Sequence, residues 1–288
     1  MKHIIIVGCQ RSGTTLLGQL LGSHPRAVLI DENDGLYDWV GGIFSGNGPQ
    51  HVQSHFHAAC AHASGKYVHA EDRFTAAGGL LPQVEYLVMK APNLTYCPDE
   101  IARHFPGASI VYALRDIRDV VASMATLRHI PIVDNQIRLM SASPLVTGAF
   151  EPELSLLNDP RVEAHRKRAI VAKVKMSLAR HFTRVGLPVL SVRYEDLVAD
   201  PTGWCDRLTS HVHMPPSDVC LRHHEVMHGL GPGRTERSRA VDQGSVAHWT
   251  TELTEQEERD VWEIGSDLMA RLGYQRNPPP DNRALKTV

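Results

Sequence analysis

Short apolar runs alternate with helical periodicity along this chain. The runs lie at residues 4–7, 27–30, 84–89, 109–114 and 189–194, and each ends at a glycine, proline or charged residue. Runs this short and rich in β-branched residues are typical of strands buried on both faces. Strands that alternate with helices predict an α/β fold: a single domain whose mainly parallel sheet carries helices on both faces, joined by right-handed crossovers.

Helical spacing of apolar residues follows most of these strands. It predicts helices at residues 14–21, 99–105, 120–127, 163–185 and 202–212, and a last helix from Thr254, where Glu257 completes a capping box. Residues 33–83 and 130–160 lack a clear period and predict loops with short helices, the first of them over an acceptor pocket. We expect a domain at residues 1–275 and a mobile tail at 276–288.

The most informative motif follows the first strand. Gly8 and Gly13 have the spacing GxxxxG, and helical periodicity starts at Thr14. A strand, a glycine-rich loop and a helix in this order aim backbone N–H groups at an anion. A nucleoside-triphosphate loop would continue with a lysine for the β- and γ-phosphates and a hydroxyl for Mg²⁺. Here Thr14 takes the lysine position and the cation lies upstream at Arg11, which favours a phosphate ester other than ATP.

The composition and net charge limit which partners and which cellular compartment we expect for this protein. The chain has 288 residues, 42% of them hydrophobic, and a net charge of -2, so a full α/β core is possible and neither nucleic acid nor an anionic membrane is expected. Five cysteines without a CxxC pair predict neither a disulfide framework nor a zinc site. With the first strand starting by residue 3 and no apolar run of membrane length, we expect a cytoplasmic protein.

The loop sequence QRSGTTLL, followed by SHP, resembles the 5′-phosphosulfate-binding loop of sulfotransferases that use 3′-phosphoadenosine 5′-phosphosulfate (PAPS). It is most similar to the tyrosylprotein and carbohydrate branches. The resemblance implies a P-loop nucleotide-kinase-like fold and sulfuryl transfer from PAPS to an acceptor hydroxyl without a metal, leaving 3′-phosphoadenosine 5′-phosphate (PAP). The loop residues that would hold the donor are Arg11, Ser12, Gly13, Thr14 and Thr15.

Three later segments extend this resemblance. VYALRDIRDVVASM is similar to the family's second motif, which implies contacts from Arg115 and Ser123 to the 3′-phosphate. VRYEDL and TERS match shorter segments, which implies nucleotide contacts from Tyr194 and Ser238. Nearby arginines could add to the phosphate site or lie on the surface: Arg234, Arg237 and Arg239. Where the tyrosylprotein branch has a lysine before a tryptophan, this chain has His248 before Trp249.

Glu32 is the predicted general base. It lies 21 residues after Arg11, at the end of the second strand, a spacing that resembles the tyrosylprotein branch. Lys90 matches the family's lysine at the transferring oxygens, and the resemblance gives Arg11 a catalytic role as well. The alternatives for the base are the neighbouring carboxylates and the histidines of the acceptor region: Asp31, Asp34, His51, His55, His57 and His69. His51 and His55, spaced i and i+4, are also a weak candidate for a metal face.

Two other functions stay open at this stage. A small-molecule kinase of the same fold would use ATP and Mg²⁺, but Thr14 replaces its lysine and no acidic pair follows a strand to hold the metal. A non-catalytic nucleotide-binding protein is opposed by the joint presence of Arg11, Glu32, Arg115 and Ser123. The acceptor could be a sugar, a phenol, a peptide tyrosine or another alcohol, and the sequence predicts no oligomeric state.

Overall fold

The computed structural model describes residues 1–127 and 130–276. Its five strands are β1 Lys2–Gly8, β2 Ala27–Asp31, β3 Tyr86–Lys90, β4 Ser109–Leu114 and β5 Val189–Arg193. They form one sheet in the order β2-β3-β1-β4-β5, and every neighbouring pair is parallel. All five predicted strands are confirmed, each to within two residues at either end, and so is the α/β class of a parallel sheet flanked by helices.

Fifteen α-helices lie in the described residues. They are α1 Thr14–Gly22, α2 Leu36–Phe44, α3 Pro49–Ser64, α4 Pro98–His104, α5 Ile117–Ala125, α6 Ile132–Ser141, α7 Pro144–Ala149, α8 Glu151–Asn158, α9 Ala164–Ser177, α10 Ala179–Arg184, α11 Tyr194–Ala199, α12 Pro201–His211, α13 His223–Val226, α14 Trp249–Glu252 and α15 Glu255–Arg271. The capping box predicted at Thr254 is present, because its hydroxyl accepts from the Glu257 N–H and the Glu257 carboxylate accepts from the Thr254 N–H.

The two segments predicted to be mainly irregular are more helical than expected. Residues 33–83 contain α2 and the 16-residue α3, and residues 130–160 contain α6, α7 and α8. Helix α3 buries only Ala59, Cys60 and Ala63, so its apolar stripe is too narrow to give a clear period. The helix predicted at 163–185 is two helices, since α9 ends before Leu178 and α10 begins after it.

The strand order determines where the site forms. Strand β1 lies in the middle of the sheet, and its residues Ile4, Ile5, Ile6 and Val7 are all buried. Because all strands run in the same direction, their carboxyl ends meet at one edge, where α/β proteins bind ligands. The loop after β1 and the residues that follow β2, β3 and β4 therefore lie at a common edge.

Two further expectations concern the C-terminal tail and membrane-spanning helices. Of the tail predicted at 276–288, residues 277–288 lie outside the described part of the chain. Among the described residues, no helix combines the length and the apolar character that crossing a bilayer requires.

Candidate functional site

A cavity of about 700 Å³ lies at the carboxyl edge of the sheet. Its wall is built from the loop after β1, the residues after β2, β3 and β4, helix α6 and the segment that includes residues 232–245. Seven of the eleven predicted site residues are on this wall: Arg11, Gly13, Thr14, Thr15, Glu32, Arg115 and Tyr194. The structure therefore brings residues from distant parts of the sequence to one cavity.

The loop at residues 8–13, predicted to bind phosphate and called the phosphate loop below, owes its shape to left-handed backbone at three positions. Gly8, Arg11 and Gly13 have φ values of 136, 67 and 91°, a region that residues other than glycine rarely adopt. A Cβ atom on Gly13 would lie 2.6 Å from the Tyr194 ring, so the position has no room for a side chain. The first turn of α1 follows directly, and its N–H groups have no intrahelical acceptor.

Ser12 differs from its loop neighbours. Its hydroxyl donates to the carbonyl oxygen of Cys9, 2.5 Å away, and the side chain is buried behind the cavity wall. The Ser12 N–H also donates to the Cys9 carbonyl, at 3.3 Å. Ser12 thus stabilises the turn, and its side chain does not reach the cavity.

Arg11 is held in place by two contacts from other parts of the chain. Its Nε donates to Ser123 Oγ at 2.9 Å, and Nη1 donates to the Gly233 carbonyl at 3.2 Å. Ser123 is absent from the cavity wall, so the structure places it behind Arg11 as a partner of the guanidinium. Burial, followed by the charge of Arg115, lowers the pKa of Arg11.

Arg115 connects the phosphate loop to the segment around residue 245. Its Nη1 donates to the Arg11 carbonyl at 2.8 Å, Nη2 donates to the Ser245 carbonyl, and the guanidinium stacks on the Tyr194 ring at 4.5 Å. Its Nε is buried and has no hydrogen-bond partner among the described residues. Asp119 lies 3.7 Å from Nη2 and completes this group of contacts.

Glu32 and Lys90 form an ion pair between adjacent strand ends. Glu32 Oε2 accepts from Lys90 Nζ; the lysine side chain is 1% exposed and the glutamate side chain 21% exposed. Glu32 lines the cavity and Lys90 lies behind it. Burial raises the pKa of Glu32, while the Lys90 ammonium acts in the opposite direction. The carboxylate is therefore within reach of a bound molecule, with a cation beside it.

The alternative carboxylates are occupied by other contacts. Asp31 accepts from Lys66 at 3.2 Å and from Arg237 at 3.0 Å, and Asp34 pairs with Lys66. Burial opposes ionisation of Asp31, but the charges of Lys66, Lys90 and Arg237 lower its pKa to about 2. Neither aspartate lies on the cavity wall. Arg237 is the arginine of the predicted TERS segment, and its contact with Asp31 ties that segment to the end of β2.

The histidines of the acceptor region do not reach this cavity. None of His51, His55, His57 and His69 lines it. The rings of His51 and His55 pack against each other at 4.3 Å, and His69 contacts Glu71 on the surface. In the part of the chain that the structure describes, no group of three or more His, Cys, Asp or Glu side chains could hold a metal ion.

Ser238 is not brought to the site. Its side chain is exposed, and its hydroxyl donates to Glu236 at 3.1 Å. Its neighbour Arg239 lines the cavity and is paired with Asp242, whereas Arg234 is exposed. Of the three arginines of this segment, Arg239 thus has the most direct access to a ligand.

A layer of amide side chains at the cavity wall was not predicted. Gln10, Asn93 and Gln136 line the cavity, and behind them lies the fully buried Lys175 of α9. The sequence of α9 is rich in Lys and Arg, a composition typical of a solvated face, whereas Lys175 is fully buried. Gln10, which precedes Arg11 within the loop, is the member of this layer that the loop sequence includes.

Comparison with known proteins agrees with this geometry. A family model described as Sulfotransferase family matches residues 3–218. The chain is 26% identical to nodulation protein NoeE of Sinorhizobium fredii (strain NBRC 101917 / NGR234), over 94% of this chain and 66% of that protein. It is 30% identical to protein-tyrosine sulfotransferase 1 of Danio rerio, over 98% of this chain and 75% of that protein. The chain thus spans just under two thirds of the first relative and three quarters of the second.

Solved structures agree on the fold. The sulfotransferase domain of the Synechococcus PCC 7002 olefin synthase superposes with a TM-score of 0.54, at 15% identity over 96% of this chain and 95% of that chain. The sulfotransferase domain of the curacin biosynthetic pathway gives 0.57 at 15% identity, over 96% and 99%. These neighbours have the predicted P-loop-like fold. With the family match over most of its length, the chain belongs to the sulfotransferase family.

Proposed function

We propose that this enzyme transfers a sulfuryl group from PAPS to an acceptor hydroxyl, with Glu32 as the general base. One observation carries the proposal: the Glu32 carboxylate, paired with Lys90, faces the same cavity as the phosphate loop. A base within hydrogen-bond reach of a bound hydroxyl and an anion cradle beside it are what an in-line transfer to oxygen requires. The acceptor is a small molecule, a sugar or a tyrosine.

The cavity wall suits the anionic ends of PAPS. Gly13 leaves room for the Tyr194 ring against the loop, and the N–H groups of the first turn of α1, which have no intrahelical acceptor, lie beside Thr14 and Thr15 on the cavity wall. Arg11 would bind at the 5′ end. Arg115, whose Nε lacks a partner among the described residues, would bind the 3′-phosphate, with Tyr194 stacked on its guanidinium.

The proposed reaction moves one proton and one sulfuryl group. PAPS supplies the sulfuryl group, whose sulfur bonds to the acceptor oxygen while its bond to the 5′-phosphate oxygen breaks. Glu32 takes the acceptor's hydroxyl proton, which makes the oxygen a better nucleophile. Arg11 and the N–H groups of the loop stabilise the charge that develops on the phosphate side.

Lys90 has two consecutive roles in this scheme. Before transfer, its ammonium pairs with Glu32 and favours the ionised carboxylate that the reaction needs. When Glu32 gains the proton, the pair loses its charge attraction, and the Lys90 ammonium behind it is left to stabilise negative charge at the transferring group. The Lys90 side chain is 1% exposed and held at the strand end. Its ammonium therefore stays beside the Glu32 carboxyl group throughout the reaction.

Transfer assays with matched variants test the proposal. PAP release from PAPS is followed with phenol, cyclohexanol, glucose and N-acetyltyrosinamide as acceptors, for the wild type and for Glu32→Gln. We expect Glu32→Gln to lower kcat by about 10²–10⁴-fold with PAP binding unchanged. Glu236→Gln, which neutralises another carboxylate of the cavity wall, is the control and should keep its activity. Equal turnover by Glu32→Gln and the wild type would remove Glu32 as the base.

A further inference from the structure

Lys175 is a buried cation without a carboxylate partner. It is 0% exposed, and no described Asp or Glu lies within ion-pair distance of it. Its Nζ donates to three amide oxygens instead: Gln10 Oε1 at 2.9 Å, Asn93 Oδ1 at 3.2 Å and Gln136 Oε1 at 3.3 Å. Burial of an unpaired ammonium is costly, so this arrangement needs an explanation beyond packing.

The ammonium determines how the amide groups are oriented. A lysine has only donors, so each amide must present its oxygen to Lys175 and its nitrogen elsewhere. Gln10 Nε2 donates to Asn93 Oδ1 at 2.6 Å, and Gln136 Nε2 donates to the same oxygen at 3.1 Å. Asn93 Oδ1 therefore accepts from three donors, and the side chain of Asn93 cannot flip without losing all of them.

This orientation leaves the Asn93 nitrogen without a partner. Asn93 Nδ2 has no acceptor among the described residues, and Asn93 lines the cavity. The Asn93 backbone N–H donates to Tyr37 Oη at 3.1 Å, and Tyr37 and Glu32 line the same cavity. Burial, and then the charge of Glu32, raises the pKa of Tyr37. A donor without a partner among the described residues and the proposed base therefore face the same cavity.

We propose that Asn93 binds the acceptor, its Nδ2 donating to a second oxygen next to the reacting hydroxyl, and that Lys175 is the residue that positions it. The inference rests on the proposed function and specifies its substrate class: acceptors with an oxygen adjacent to the hydroxyl, such as vicinal diols, sugars and ortho-alkoxy phenols. A bound oxygen satisfies the Asn93 donor, whereas an acceptor without it leaves that donor unpaired. A neutral hydrogen bond of this kind contributes about 1 kcal/mol, or roughly fivefold to tenfold in kcat/KM.

Two pairs of acceptors, whose members differ by the second oxygen, measure the effect of that oxygen on kcat/KM. The first is cyclohexanol with cis-1,2-cyclohexanediol, and the second is phenol with 2-methoxyphenol. We expect the wild type to favour the second member of each pair by roughly fivefold to tenfold. In Asn93→Asp, an oxygen replaces the nitrogen, so the preference should disappear while the KM for PAPS stays constant. Asn135→Asp makes the same change at another position of the cavity wall and should keep the preference.

The role of Lys175 is tested by a double-mutant cycle. Lys175→Met frees the Asn93 amide to rotate, so it should weaken the preference, and Asn93→Asp should add little in that background. Thermal melting of Asn93→Asp alone gives a second readout. It should be unchanged or raised, because the oxygen facing Lys175 is kept; a clear loss of stability would show that the nitrogen is needed by the fold.

The outcomes separate this inference from the proposed function. No preference in the wild type, or a preference that survives Asn93→Asp, would overturn the assignment of Asn93. Additive effects in the cycle would remove Lys175 as its positioning residue. PAP binding is measured on the same protein: its absence would refute the proposed function, whereas its presence without any preference for the second oxygen would refute only this inference.

Discussion

Asp31 and Lys90 are register partners on the parallel strands β2 and β3, and this pairing places Glu32, the next residue, against the Lys90 ammonium. The ion pair of the proposed base therefore follows from strand register and does not depend on a flexible loop. Asp31 itself is turned to Lys66 and Arg237. Two adjacent acidic residues thus have different roles, one in the fold and one at the cavity.

The first prediction concerns the pH dependence of transfer. Because burial raises the pKa of Glu32 above its ordinary value, the base loses its proton only at a pH higher than an exposed glutamate would need. We expect kcat/KM to rise with pH through a limb that lies above pH 4.5, the ordinary value. The limb should be missing from the residual activity of Glu32→Gln. An identical limb in that variant would assign it to another group.

The second prediction concerns Asp31. Its pKa of about 2 lies below the ordinary 3.8, so its contribution to stability is present above pH 3.8 and is lost as the pH falls through about 2. Asp31→Asn leaves Lys66 and Arg237 without this partner, and we expect a loss of about 3–5 kcal/mol in urea unfolding at pH 7. Asp218→Asn breaks an exposed pair with Arg222 and should leave stability almost unchanged, because solvent screens exposed ion pairs. Equal losses in the two variants would contradict the buried role of Asp31.

The third prediction concerns Gly13. A Cβ atom there would clash with Tyr194 at 2.6 Å, in a backbone with φ of 91°. Gly13→Ala should weaken PAP binding by about tenfold or more, since a displaced ring and strained backbone cost about 1–3 kcal/mol. Gly46→Ala is matched for backbone strain, with φ of 68° but no atom within 4 Å. Gly46→Ala should lower stability slightly and leave PAP binding intact, which titration calorimetry of both variants can measure.

The fourth prediction concerns Lys175 and stability at high pH. Burial lowers its pKa from 10.5 to about 8. Between these values the unfolded chain binds more protons than the folded one, so this group makes stability rise with pH across that window. The stability of the wild type relative to Lys175→Met should therefore increase between pH 8 and pH 10.5. A constant difference across that range would show that the lysine titrates normally.

Much of the fold and part of the site could be predicted from local patterns. Short runs of sequence indicate buried strands and the glycine-rich turn after the first one, so β1 and the turn at Gly13 could be predicted. Helix α3 could not be predicted, because only one narrow stripe of it is buried. The burial of Lys175 and the contact between Ser123 and Arg11 depend on packing between distant elements. A local sequence pattern cannot indicate such packing.

The most direct test of the central claim is isothermal titration of the purified protein with PAP, and in parallel with ATP plus Mg²⁺. The account predicts tight binding of PAP and no measurable binding of ATP, because Thr14 replaces the lysine of a triphosphate loop. Binding of ATP with Mg²⁺ in the absence of PAP binding would contradict it and favour a kinase.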